Sequence, residues 1–137
     1  MLAQILIILG AALMGTLGTI HIVYTFFTNK LEPRDTAIST AMKATSPVLT
    51  RRTNLWNGWI GFNATHGVGL LLFATTYLVL AIGHMSWLRQ SPVLTWLPVA
   101  GSAAYLAIAR RYFFRNPLIG VVITTVCFLV AAFALSF

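Results

Sequence analysis

Two histidines, His21 and His66, sit inside long apolar runs that contain no Asp, Glu, Lys or Arg. A neutral imidazole carries one donor and one acceptor nitrogen, can ligate a metal or haem iron, and titrates near neutral pH. Spacings of three and four place Met14, Gly18, His21, Thr25 and Thr28 on one face of a helix, and Trp59, Asn63, His66, Leu70 and Tyr77 on one face of another. If these two helices run antiparallel, His21 lies seven positions before Thr28 and His66 ten positions after Trp56. At 1.5 Å per residue the two depths are roughly 10 and roughly 15 Å, close enough for the imidazoles to meet.

Three kinds of chemistry fit such a meeting. The histidines can hold two helices together as neutral hydrogen-bonding groups, with Asn63, Thr25 or backbone carbonyls as partners. They can ligate a b-type haem axially, with Gly18, Gly58, Gly61 and Gly67 leaving room for the porphyrin. Or they can form a polar pocket with Asn63 for the headgroup or reactive end of a lipid or quinone, with Arg51, Arg52, Arg110 and Arg111 as an anionic-headgroup rim. Cys127, ten positions after Pro117, falls at a similar depth, so a His, His, Cys metal set is arithmetically allowed. A cysteine in an apolar helix is more often a small packing residue.

Other chemistries find no residues. The only acids, Glu32 and Asp35, lie in a surface connection, so neither an ion-coupled carboxylate relay nor a Ser, His and acid triad can be assembled. The single cysteine excludes an intrachain disulfide and a CxxC motif. No catalytic set is assigned.

The elements that must position the histidines follow from composition. Of 137 residues, 58% are hydrophobic and 8% charged, and the mean hydropathy is +0.85, which is membrane rather than soluble composition. A bilayer crossing takes roughly 20 apolar residues. Charge-free runs place four such spans at about 2–28, 56–83, 92–110 and 117–136, a single membrane domain over residues 1–137. The expected fold is therefore all-α, a bundle of four transmembrane helices. Thr53 or Asn54 can cap the second helix. Pro98 either kinks the third or marks its start, and Asn116 with Pro117 is expected to open the fourth. The first run has no basic residue before it and is too long for a signal peptide, so it is expected to be a permanent span.

Lys30, Arg34, Lys43, Arg51 and Arg52 lie between the first two spans, Arg110, Arg111 and Arg115 between the last two, and only Arg89 in the middle connection. The positive-inside rule then places the first and third connections in the cytoplasm and both termini outside. His21 and His66 fall in the cytoplasmic half. The net charge of +7 is thereby a topology signal, and no nucleic-acid partner is expected. Asp35 can cap a short amphipathic helix in the first cytoplasmic connection, in which Ile38, Ala41, Met42 and Ala44 recur at helical spacing until Ser46 and Pro47 end it.

The stretch Ser46-Pro47-Val48-Leu49-Thr50-Arg51, then Trp56, Trp59-Ile60-Gly61-Phe62-Asn63-Ala64 and His66-Gly67, with Gly18-Thr19-Ile20-His21 and Tyr24-Thr25, resembles a family of small uncharacterised bacterial four-helix inner-membrane proteins. The resemblance covers the first two helices and their connection; the second half shares only its hydropathy. It implies a bacterial inner-membrane location and histidines that belong to a recurring pattern, and brings no reaction with it. Length and helix count are also those of the small four-helix enzymes of eicosanoid and glutathione metabolism, but their glutathione-binding arginine and glutamate pattern is not present.

Two classes of function remain open. One is a site that binds haem b or a lipid-soluble molecule. The other is an accessory or self-associating subunit of a membrane complex, in which the histidines only join helices and glycines permit close contact within or between chains.

Overall fold

The computed structural model describes all residues, Met1–Phe137. It is all-helical, with the order α1 (Leu2–Phe27), α2 (Thr36–Ala44), α3 (Leu55–Gly83), α4 (Met85–Gln90), α5 (Pro92–Tyr112) and α6 (Arg115–Ser136). Helices α1, α3, α5 and α6 are long and apolar enough to cross a membrane. Their surfaces carry the apolar bulk, as at Leu9, Phe62, Leu72, Val79 and Ile123, while Thr25, Asn63, Thr95, Ser102 and Thr124 are buried. Outward apolar side chains and inward small polar ones suit a hydrocarbon solvent, in which backbone and side-chain polar groups must be satisfied internally.

Helix ends follow local chemistry. Asn54 accepts the amide of Asn57 at 2.8 Å and caps α3, and Asp35 accepts that of Ala37 at 2.8 Å and caps α2. Ser91 caps α5 ahead of Pro92. The fourth long helix departs from expectation. It begins at Arg115 after Phe114, so Pro117 stands third in the helix and Asn116 is not its cap. Amides of the first turn have no intrahelical acceptor, so proline is tolerated anywhere within it. The middle connection also holds a helix the hydropathy pattern does not reveal, α4, beginning after His84, whose ring lies 4.8 Å from that of Trp87.

Contacts divide the chain into two compact units, Met1–Leu17 with Leu70–Phe137, and Gly18–Gly69. In the first, Ala3, Ile7 and Ala11 of α1 form a core with Tyr77, Leu80 and Ala81 of α3, Leu88 of α4, and Phe128 and Ala131 of α6. Small residues on α1 and α6 let the helices approach until dispersion contacts replace contacts with lipid. The Gln4 amide donates to the Ala81 carbonyl at 2.8 Å, one of the last-turn carbonyls of α3 that the helix itself leaves without a donor.

Pro98 lies inside α5, and the helix continues through it from Pro92. A residue at position 98 would normally donate its amide to the Leu94 carbonyl, and proline has no amide to give. The buried Tyr77 hydroxyl takes that place, donating to Leu94 O at 3.2 Å. Removing the hydroxyl leaves a partly buried carbonyl without its donor, so Tyr77→Phe should destabilise the fold by about 1 kcal/mol. In a Pro98→Ala background the restored amide satisfies Leu94, and the same substitution should cost almost nothing. A double-mutant cycle of unfolding in detergent reads the coupling. Equal effects of Tyr77→Phe in both backgrounds would disprove the substitution of one donor for the other.

Candidate functional site

The second unit, Gly18–Gly69, contains the later turns of α1, the connection with α2, and the earlier turns of α3. Its helix crossing is set by glycine. A Cβ at Gly67 would lie 2.7 Å from Cδ1 and Cγ1 of Ile22 and 3.2 Å from the Gly18 carbonyl oxygen. Only hydrogen at position 67 lets Ile22 and the α1 backbone come this near. His21 and His66, each next in sequence to one of these contact residues, are thereby brought side by side. Their ring centroids are 4.7 Å apart and their planes cross at 65°, an edge-to-face contact.

Asn63 fixes one of the two rings. Its Nδ2 donates to the Trp59 carbonyl at 2.8 Å, which turns Oδ1 toward His21 Nε2, 3.0 Å away. A carboxamide oxygen only accepts, so Nε2 of His21 carries the proton and, in the neutral ring, Nδ1 is left as the acceptor. Asn63 is buried at 4% exposure and uses both ends of its amide. Thr25, also buried, donates to the His21 carbonyl at 2.7 Å. That bond is local to α1, so Thr25 steadies the backbone beneath His21 without reaching the ring cluster through its hydroxyl. Both imidazoles are half-buried.

This arrangement bears on the cofactor expectation. Metal–imidazole bonds of about 2 Å set two axial nitrogens roughly 4 Å apart, pointing at the metal from opposite sides of the porphyrin, with the ring centres further apart still. Here the rings touch edge to face, and Nε2 of His21 is engaged by Asn63. The pair does not fit bis-axial haem ligation. Nor is there a metal set, since no three His, Cys, Asp or Glu residues gather in one place. Cys127 belongs to the other unit, where its Cβ packs 3.3 Å from the position a side chain would take at Gly10. Its role there is that of a small packing residue.

The arginines of the expected rim divide between the units. Arg51 and Arg52 are exposed in the bend that precedes α3, following a turn in which Thr50 N donates to Pro47 O. Arg110 and Arg111 are exposed in the last turn of α5, and the Arg111 guanidinium lies 5.5 Å from the Tyr112 ring centre. Each pair is a local positive patch. Helix α2 carries no buried residue, and Lys43 near its end lies over the Trp56 ring at 4.7 Å.

Sequence reasoning missed the tie that holds the connection. The Trp59 indole donates to the Leu31 carbonyl at 3.0 Å, fastening the segment after α1 to the first turns of α3. A tryptophan near a span end signals an interfacial position, but not which carbonyl it binds. Compared with protein families, curated proteins and solved structures, the chain has no match.

Proposed function

We propose that this chain is a multi-pass protein of a bacterial inner membrane, a four-helix bundle with both termini outside, in which His21, His66 and Asn63 form a recognition point for the polar end of a lipid-soluble molecule. The observation that carries the reading is the pair of touching, half-buried imidazoles, one held in a defined tautomer by an asparagine that the Trp59 carbonyl orients. With His21 Nε2 engaged by Asn63, His21 Nδ1 is the acceptor that takes a hydrogen bond from a hydroxyl on the polar end of the ligand, beside the His66 ring. An apolar tail then lies along the outward-facing apolar side chains. On this reading α2 rests as an amphipathic helix at the cytoplasmic headgroups, with Ile38 exposed toward them.

Gently extracted wild-type protein is expected to carry a small amphiphile detectable by mass spectrometry. His21→Ala and His66→Ala should each lower its retention about tenfold, the worth of one hydrogen bond of about 1.4 kcal/mol. Equal retention by both variants and wild type would remove the histidines from recognition.

A second reading, an accessory or self-associating subunit, is favoured by α3 itself. Gly58, Gly61 and Gly69 share a face opposite Gly67, and a Cβ at any of them would meet nothing within 4 Å. Glycines spaced along one face let another helix approach closely. On this reading the same extraction yields a partner chain or an oligomer in place of the amphiphile.

A further inference from the structure

We propose that the segment leaving α1 forms a second, separate binding site: a cleft for the phosphate of a phospholipid headgroup, with Lys30 and Arg34 as its cations and Glu32 as the group that selects a headgroup bearing an ammonium. The proposal rests on α1 crossing a bilayer and is independent of the histidine cluster.

The cleft is a cavity of about 410 Å³ lined by Asn29, Lys30, Glu32, Pro33, Arg34 and Thr36. It opens directly after Phe26 and Phe27, exposed aromatic residues that end the apolar run of α1. Tryptophan at the end of a span marks the level of the headgroups, and the Trp59 indole binds the Leu31 carbonyl of this segment. The cavity, which shares that segment, therefore stands where lipid phosphates lie.

Its walls are built by hydrogen bonds. The Lys30 amide donates to Thr28 Oγ1 at 3.2 Å, and the Glu32 amide donates to the Asn29 carbonyl at 3.1 Å, closing a turn. Trp59 holds the Leu31 carbonyl between these two residues. On the far side Asp35 caps α2 through the Ala37 amide, which leaves the side chains of Lys30 and Arg34 as the cationic donors of the cleft. An arginine fork and a lysine ammonium are the side chains that bind phosphate oxygens most strongly. The Lys30 ammonium lies 5.7 Å from the Tyr24 ring centre, a contact that keeps it near the end of α1.

Glu32 decides between headgroups. With two cations and one carboxylate lining the cavity, a phosphate with an attached ammonium matches both signs, whereas a purely anionic headgroup leaves the carboxylate unpaired and repelled. A phosphoethanolamine headgroup has that pattern. The surrounding connection also holds Lys43, Arg51 and Arg52, which attract anionic surfaces at longer range without forming a cavity.

The experiment is native mass spectrometry of the full chain in detergent, titrated with phosphatidylethanolamine, phosphatidylglycerol, diacylglycerol and inorganic phosphate. Wild type is expected to take up phosphatidylethanolamine in one discrete step, more tightly than phosphatidylglycerol, and to show no such step with diacylglycerol. Lys30→Ala with Arg34→Ala should weaken that step about tenfold or more, and Glu32→Gln should erase the preference between the two phospholipids. These side chains are exposed, and unchanged helical circular dichroism establishes that each variant is folded. His21→Ala should leave the step intact, which separates this site from the histidine cluster. Undiminished binding by the Lys30→Ala, Arg34→Ala protein would overturn the proposal, as would the absence of a preference in wild type. Displacement of the lipid by millimolar inorganic phosphate would assign the cleft to a soluble anion and overturn it equally.

Discussion

Alanine at position 67 should destabilise the protein by about 1–3 kcal/mol, and leucine by more, because a Cβ there enters space already occupied. The added atom would stand 2.7 Å from two carbons of Ile22 and 3.2 Å from the Gly18 carbonyl oxygen. Ile22 is β-branched within a helix, so it has little rotamer freedom with which to withdraw. The carbonyl belongs to the α1 backbone and moves only with the helix. The crossing must therefore open, and His21 and His66 would be drawn apart with it. Ile22→Ala should rescue part of the loss in the double variant, leaving the share due to the Gly18 carbonyl. Gly61→Ala is the control on the same helix: nothing lies within 4 Å of its added Cβ, and it should be neutral or stabilising by up to about 1 kcal/mol, because alanine is the better helix former. Unfolding in mixed detergent micelles reads all four. A Gly67→Ala protein as stable as wild type would show that α1 and α3 do not cross as closely as described, and the account of the histidine pair would fall with it.

The residues that were legible in the sequence share one property: their signal repeats along the chain. Long apolar runs mark α1, α3, α5 and α6, and spacings of three and four place Met14, Gly18 and Thr25 on one buried stripe and Asn63, Leu70 and Tyr77 on another, while Trp59, expected on the second, is exposed. Caps at Asp35 and Asn54 were legible because capping is local, a polar side chain facing an amide two or three residues on. What escaped was short or distant in sequence. Helix α4 has six residues, too few for a periodic signal. Pro98 announced a missing amide, but nothing in the pattern said that Tyr77, 17 positions earlier in sequence than Leu94, would supply the donor. The histidine site was legible to the level of depth and face, and no further. Side-by-side imidazoles and imidazoles facing one another across a metal require the same spacing; the ring angle and the Asn63 bond distinguish them, and both depend on how closely Gly67 lets the helices approach.

Phe128→Ala should be the most damaging single truncation in the other unit, costing about 3–5 kcal/mol. Phe128 is 1% exposed. Its ring meets Phe73 edge to face at 5.8 Å and 81°, and Tyr77 at 5.9 Å and 55°, contacts that add to its packing. On the α1 side the ring fits against Gly10, where a Cβ would lie 3.2 Å from Cε1. The hole left by alanine is walled by α1 and α3, out of reach of lipid chains, so the lost dispersion contacts find no replacement. The same geometry predicts a coupling. Gly10→Ala alone should be destabilising, since the new methyl crowds both Phe128 and the Cys127 Cβ at 3.3 Å. In the Phe128→Ala background it should cost clearly less, because the methyl then enters the vacated volume and only the Cys127 contact remains. Additive effects in that cycle would mean that Phe128 and Gly10 do not share a wall. Because these residues belong to the unit that lacks His21 and His66, the folded fraction of Phe128→Ala should retain any ligand of the histidine pair with wild-type affinity. Gly67→Ala should lose affinity and stability together.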